Sequence, residues 1–165
     1  MSLPFTLLFS GFSNSLCVAM SLLLAKVCTL VLFAPFIEEV AKVFPLFYRH
    51  GETERSLIDL GILVGVGFGI TEYTLYVFTL GAPVLSRILG VIFHALRAAI
   101  TVYSIAKKKP VQFYLTAVAF HLAYNLLVLS SSEVPFIYMP AVIVLVAPYL
   151  LAWHLYRRTS ETIVL

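Results

Sequence analysis

The chain has 165 residues, of which 61% are hydrophobic and 12% are charged, whereas ordinary soluble domains have about 45–50% apolar and about 25% charged residues. This composition excludes a soluble globular domain and predicts an all-α, polytopic bundle of transmembrane helices. At about 20 residues a span there is room for five or six spans, so residues 1–165 are predicted to form a single membrane-embedded domain. The formal net charge of +3 lies mostly in short loops beside the spans and does not indicate a nucleic-acid partner.

The apolar runs and the breaks between them predict the spans in chain order. The run from Leu3 to Ala25 contains a polar break at residues 10–15, and both a full span and a half-inserted helix are left open for it. Each of the later runs has the length of a span. These runs are Val27–Tyr48, Leu57–Leu80, Val84–Ala106, Val111–Leu129 and Val134–Tyr156.

Basic residues concentrate on one side of the membrane when these spans alternate in direction. The two short loops on the other side contain Arg87 alone. Because basic loop residues are retained in the cytoplasm, the lysine-rich loop and the C-terminus are predicted to be cytoplasmic. The basic residues of that side are Arg49, Arg55, Lys107, Lys108, Lys109, Arg157 and Arg158.

Ionisable side chains lie near the middle of four predicted spans. Counted at about 1.5 Å per residue from the span ends, they share one layer of the bilayer. Placing such a group at the bilayer centre costs about 2.5–3.5 kcal/mol of insertion free energy. Because they are rarely retained at this cost without a role, these groups indicate a functional site. Carboxylates exceed cations in this layer, which calls for a bound proton or a metal ion. The layer contains Glu38, Glu39, Lys42, Glu72, His94, Arg97 and His121.

Several of these residues also have purely structural interpretations. Glu38 and Lys42 have the i,i+4 spacing of an intrahelical ion pair. His121 and Asn125 share one helix face, from which membrane helices often hydrogen-bond to a neighbour. A stripe of small residues every fourth position predicts close helix packing rather than chemistry. The stripe consists of Gly61, Gly65 and Gly69.

Four short motifs occur in order along the spans. They are EEVAK at residues 38–42, GVGFGITE at 65–72, FHAL at 93–96 and FHLAYN at 120–125. Together they resemble the motif set of PrsW-type intramembrane proteases. They are similar, more distantly, to the superfamily of CAAX prenyl endopeptidases, bacteriocin-processing membrane proteases and the Aph subunit of gamma-secretase.

The resemblance covers roughly Pro35 to Leu127 and favours the PrsW branch. Lys42 follows Glu39 by three residues, as in the PrsW pattern, whereas CAAX endopeptidases carry an arginine one position later. The resemblance therefore implies a membrane-anchored protein as substrate, within the lipid bilayer, rather than a prenylated one.

Hydrolysis of a peptide bond needs an activated water, a donor for the developing oxyanion and a proton for the leaving amine. Glu38 or Glu39 is interpreted as the general base, with Lys42 holding the charge of the other. The histidines polarise the water or stabilise the oxyanion, and an amide donor lies one turn from the second histidine. The predicted catalytic residues are Glu38, Glu39, Glu72, His94, His121 and Asn125, with Lys42 and Arg97 in support.

Two arrangements of this site are left open. In the first, His94, His121 and Glu72 bind zinc, with water in the fourth position and Glu39 as the base. In the second, glutamates and histidines act without a metal.

Two other classes of function also fit intramembrane ionisable groups: a noncatalytic scaffold for other membrane helices, and a small proton or cation transporter. The lack of an inverted repeat weighs against transport.

Overall fold

A computed structural model describes residues 27–49, 51–131 and 138–164, together with 18, 20–22, 24 and 25. Within these residues the fold is all-α, as predicted, with one isolated antiparallel bridge between Thr53 and Ile163. A π-helical segment, Val27–Phe33, precedes the first helix, a 3-10 segment, Phe44–Tyr48, follows it, and a second π-helical segment, Leu75–Thr79, follows the next. The helices are α1 (Ala34–Val43), α2 (Glu54–Thr74), α3 (Val84–Ala106), α4 (Pro110–Ser131) and α5 (Tyr138–Tyr156).

The described helices are those of an integral membrane protein. Three are long and apolar enough to cross a bilayer, namely Met20–Tyr48, Glu54–Thr79 and Arg87–Ala106. Two shorter apolar helices, Val111–Leu127 and Ile143–Tyr156, complete the bundle. The described part of the chain therefore supplies three to five apolar helices for the predicted five or six spans.

The apolar helix that carries the two glutamates extends from Met20 to Tyr48, so it begins before the predicted start of this span at Val27. Most of the run from Leu3 to Ala25 lies outside the described residues, as does the predicted start of the last span at Val134.

The glycine stripe brings α2 against the backbone of α3. A Cβ atom at Gly65 would lie 2.6 Å from the carbonyl oxygen of His94, and one at Gly69 would lie 2.7 Å from the Cα of Val91. Real Cβ atoms do not approach other atoms so closely, so each position needs a glycine. The predicted close packing is confirmed, and it brings Glu72 on α2 beside His94 on α3.

Gly65→Ala is expected to destabilise the bundle by about 1–3 kcal/mol, because the added methyl group pushes α3 away at His94. The matched control is Gly67→Ala, two residues along the same helix, where a Cβ would meet nothing within 4 Å. That variant should stay within about 1 kcal/mol of the wild type. Reversible unfolding in mixed micelles measures both, and equal losses would refute the close-packing account.

Helix α3 is the centre of the bundle, and its two halves differ in character. Ile100 and Val102 in its second half are fully buried in an apolar core with Leu57 of α2, Ala117 of α4 and Ala152 of α5. The polar residues of the predicted site, His94 and Arg97, lie before this apolar part, near the middle of the helix. The apolar core therefore supports the site from one end of the bundle.

The three basic segments lie together at one end of the bundle. Lys107 places Nζ 2.6 Å from both carboxylate oxygens of Glu54. The backbone N–H of Ser160, in the C-terminal tail, donates to Glu54 Oε2 at 2.9 Å. These contacts join the start of α2, the lysine-rich loop and the tail on the same side, as the alternation of spans predicts.

Candidate active site

A cavity of about 160 Å³ lies between helices α1 to α4, where the predicted polar layer meets. Two of the predicted residues, Glu39 and Lys42, lie outside its lining. Burial is nearly complete for both histidines, each 4% exposed. The predicted residues that line the cavity are Glu38, Glu72, His94, Arg97, His121 and Asn125.

Glu39 is the hub of a fully buried ion-pair cluster. Its Oε1 accepts a hydrogen bond from Lys42 Nζ at 2.7 Å and lies 3.1 Å from Arg97 Nη1. The same oxygen lies 3.0 Å from His121 Nδ1. Lys42 thus pairs with Glu39, three residues before it, and the alternative of an ion pair with Glu38 is wrong. Glu39 therefore interacts with two buried cations and one imidazole.

Glu38 has a different environment, because it lies about 100° further round the same helix. Its side chain faces the cavity and is 28% exposed. Within the described part of the chain, Oε2 is buried without a hydrogen-bond partner. The nearest ring nitrogen, Nε2 of His121, is 3.7 Å from that oxygen, which is too long for a direct hydrogen bond. Glu38 is therefore the carboxylate with free acceptor capacity in the cavity.

The two histidines face each other across α3 and α4, as predicted from their depths. Their ring centroids are 5.8 Å apart and the rings are nearly perpendicular, at 88°. His94 Nε2 contacts Glu72 Oε2 directly, and its Nδ1 lies 3.0 Å from Arg97 Nη2. One cavity therefore contains both imidazoles together with carboxylates from α1 and α2.

Arg87 is a residue of the site that sequence reasoning missed. Its Nη1 lies 3.5 Å from Glu72 Oε1, and its guanidinium carbon lies 3.9 Å from the ring centroid of Tyr76. The sequence places Arg87 in a loop, yet it lies in the first turn of α3, from which a long side chain reaches Glu72. With Arg87 included, three carboxylates meet three cations, and the predicted excess of negative charge disappears.

The comparison with protein families identifies the chain. Residues 1–153 match the PrsW-protease family, described as "PrsW family intramembrane metalloprotease". The chain belongs to this family. No curated protein and no solved structure matches it in the same comparisons. The predicted PrsW resemblance is confirmed. This PrsW-family chain is an integral membrane protein and an intramembrane protease. Its wider placement with CAAX endopeptidases and Aph stays a prediction.

The family description raises the question of a metal in this PrsW-family chain. Glu38, Glu72 and His94 each place a ligand atom within 4.8 Å of the others, so by proximity they could hold a metal ion. The partnerless Oε2 of Glu38 is a suitable ligand atom. The predicted set of His94, His121 and Glu72 differs from this group in one member, since the group contains Glu38 and not His121.

The hydrogen bonds of His94 do not fit the state of a metal ligand. A histidine that binds a metal through one ring nitrogen donates the hydrogen of the other to an acceptor. The group beside Nδ1 of His94 is the guanidinium of Arg97, which has only hydrogens to donate. A metal at Nε2 of His94 would therefore place a hydrogen on Nδ1, facing an N–H group of Arg97. With Arg87 beside Glu72, the described charges of the site balance without a metal ion.

Proposed function

We propose that this chain hydrolyses a peptide bond of a membrane-anchored protein, with Glu38 as the general base that activates water. The observation that carries the proposal is that Glu38 lines the cavity and that its buried Oε2 has no hydrogen-bond partner among the described residues. Glu39, the other candidate, has its charge occupied by Lys42 and Arg97. A base must be able to accept a proton from a water in the cavity. Oε2 of Glu39 also has no hydrogen-bond partner among the described residues, but Glu39 lies outside the cavity lining, whereas Glu38 is part of it.

The walls of the cavity suit the remaining steps of hydrolysis. A water that contacts Glu38 also lies near Nε2 of His121, since the two atoms are 3.7 Å apart. Glu38 takes a proton from the attacking water and then passes it to the amine as the carbon–nitrogen bond breaks. Hydrogen-bond donors stabilise charge on the carbonyl oxygen most strongly where bulk water is excluded. Asn125 is the candidate donor in the cavity lining, since Nε2 of His94 already contacts Glu72.

The experiment that tests this function uses purified protein in liposomes with a single-span membrane protein as substrate. We expect cleavage products whose new ends lie inside the transmembrane segment, identified by mass spectrometry. A noncatalytic scaffold would bind the substrate and leave it whole, and a transporter would move ions without altering it. Intact substrate after prolonged incubation with folded protein, across a panel of single-span substrates, would contradict the proposal.

Chelation is expected to leave the activity of the purified enzyme within about twofold of its untreated value. The physical reason is that Arg97 opposes metal ligation by His94, while Arg87 already balances the charge of Glu72. Cleavage rates are compared before and after dialysis against EDTA, with a zinc endopeptidase treated in parallel as the control. Loss of activity that returns on adding Zn²⁺ would show that a metal is required.

The orientation of the bundle is part of the proposal, with the end that carries Lys107 and the C-terminal tail in the cytoplasm. In a variant without Cys17 and Cys28, Lys108→Cys should react with a membrane-impermeant maleimide only after the cells are opened. The control, Ala82→Cys in the loop at the opposite end, should react in intact cells. Labelling of Lys108→Cys from outside would reverse the orientation.

A further inference from the structure

The ring nitrogens of the two site histidines have opposite hydrogen-bonding partners. At His94, Nδ1 faces the Arg97 guanidinium at 3.0 Å and Nε2 contacts the Glu72 carboxylate. At His121, Nδ1 faces the Glu39 carboxylate at 3.0 Å, and Nε2 is directed toward Glu38. A cation thus faces Nδ1 of His94, whereas an anion faces Nδ1 of His121.

These partners decide which nitrogen carries hydrogen in each neutral ring. A guanidinium only donates, so Nδ1 of His94 must accept, and the ring hydrogen lies on Nε2, from which it donates to Glu72. An ionised carboxylate only accepts, so Nδ1 of His121 must carry hydrogen, and Nε2 is left with a lone pair. Arg97 and Glu39 are both essentially inaccessible to solvent, so no bulk water replaces these partners.

We infer that Arg97 is a positioning residue that fixes His94 as the hydrogen-bond donor of the site, while Glu39 fixes His121 as the acceptor. The two histidines are therefore not interchangeable. The assignment of their roles in catalysis depends on the proposed peptide hydrolysis, but the hydrogen positions do not.

The inferred hydrogen positions divide the chemistry between the rings. The Nε2 lone pair of His121 accepts a hydrogen bond from the water, and Glu38 takes a proton from it as the water oxygen bonds to the carbonyl carbon. The other hydrogen stays on that oxygen. The Nε2–H of His94 keeps the Glu72 carboxylate in place, and Asn125 of the cavity lining is the candidate donor to the oxyanion that forms. Glu38 then protonates the leaving amine, so all protons are accounted for and both imidazoles stay neutral.

Nitrogen NMR of ¹⁵N-histidine-labelled, full-length protein in lipid bilayers tests the inference directly. His94→Gln and His121→Gln variants assign the signals. We expect hydrogen on Nε2 in His94 and on Nδ1 in His121. The inference is overturned by the same tautomer in both rings, by the reverse assignment, or by hydrogen on both nitrogens of His94. None of these readouts needs a substrate.

Arg97→Met tests whether Arg97 causes the His94 tautomer, because it keeps the length of the side chain and removes the donor. We expect an Nδ1–H form to appear at His94, with His121 unchanged, and kcat to fall about 100-fold or more at a similar KM. Arg97→Lys restores a donor and should restore the Nε2–H form. An unchanged His94 tautomer in Arg97→Met would refute the positioning role.

The two proposals fail in different ways. Protein that shows the expected tautomers but cleaves nothing would contradict the proposed function alone. Protein that cleaves its substrate with both rings in one tautomer would contradict this inference alone. If Arg97→Met does not fold, the wild-type and Arg97→Lys spectra still decide the hydrogen positions.

Discussion

Glu38→Gln is expected to lower the rate of substrate cleavage by about 10²–10⁴-fold, the usual contribution of a general base. Glutamine keeps the size of the side chain and removes the capacity to accept a proton. Stability should change little, because Oε2 of Glu38 has no hydrogen-bond partner to lose within the described residues. Cleavage rates and unfolding curves of the same preparation measure the two effects.

The control for this variant is Glu161→Gln, which removes a carboxylate from the exposed C-terminal tail, where the Glu161 side chain is 67% exposed. It should cleave the substrate at the wild-type rate. A Glu38→Gln enzyme that works within about threefold of the wild type would exclude Glu38 as the base.

Glu39→Gln is expected to destabilise the folded bundle by about 3–5 kcal/mol, the typical cost of removing one partner from a buried ion pair. Without the Glu39 charge, Lys42 and Arg97 would lie side by side in the protein interior with little compensation. Reversible unfolding in mixed micelles measures the loss, with Glu38→Gln as the matched control one residue earlier.

A second substitution tests the reason for that loss. In the double variant Glu39→Gln with Lys42→Met, one uncompensated cation is gone, so part of the lost stability should return. If the double variant is destabilised by the full sum of the single effects, or if Glu39→Gln unfolds like the wild type, the buried ion-pair hub is not what holds this region together.

Much of the site could be predicted from sequence because depth in a membrane helix follows from residue counting. His94 and His121 each lie about eleven residues from the end of a span, and spans of opposite direction bring such residues to the same level. The observed separation of 5.8 Å between their rings follows from that count together with the packing of α3 on α4. The glycine stripe likewise predicted the approach of α2 to α3.

Residue counting could not predict which of Glu38 and Glu39 faces the cavity and which joins the buried ion pairs. Adjacent residues differ by about 100° around the helix, and the sequence does not state which of the two directions faces the cavity. The partner of Lys42 was ambiguous for the same reason, since both i,i+3 and i,i+4 pairs are within reach. Only the packing of α1 against α3 and α4 decides between them.

Arg87 was missed because residue counting gives the depth of a Cα atom and not the reach of a side chain. Arginine extends several ångströms from the backbone and can keep its charged end far from the level of its own residue. In the folded protein it reaches Glu72 and changes the charge balance of the site. The described charges of the site therefore balance without a metal ion.

The central claim is that Glu38 activates the water while Glu39 maintains the architecture of the site. The most direct test compares Glu38→Gln and Glu39→Gln in one cleavage assay, with each kcat divided by the folded fraction of that preparation. We expect the folded Glu38→Gln protein to be nearly inactive, whereas the folded Glu39→Gln protein keeps clearly more activity. A folded Glu38→Gln protein that outperforms Glu39→Gln would contradict the account.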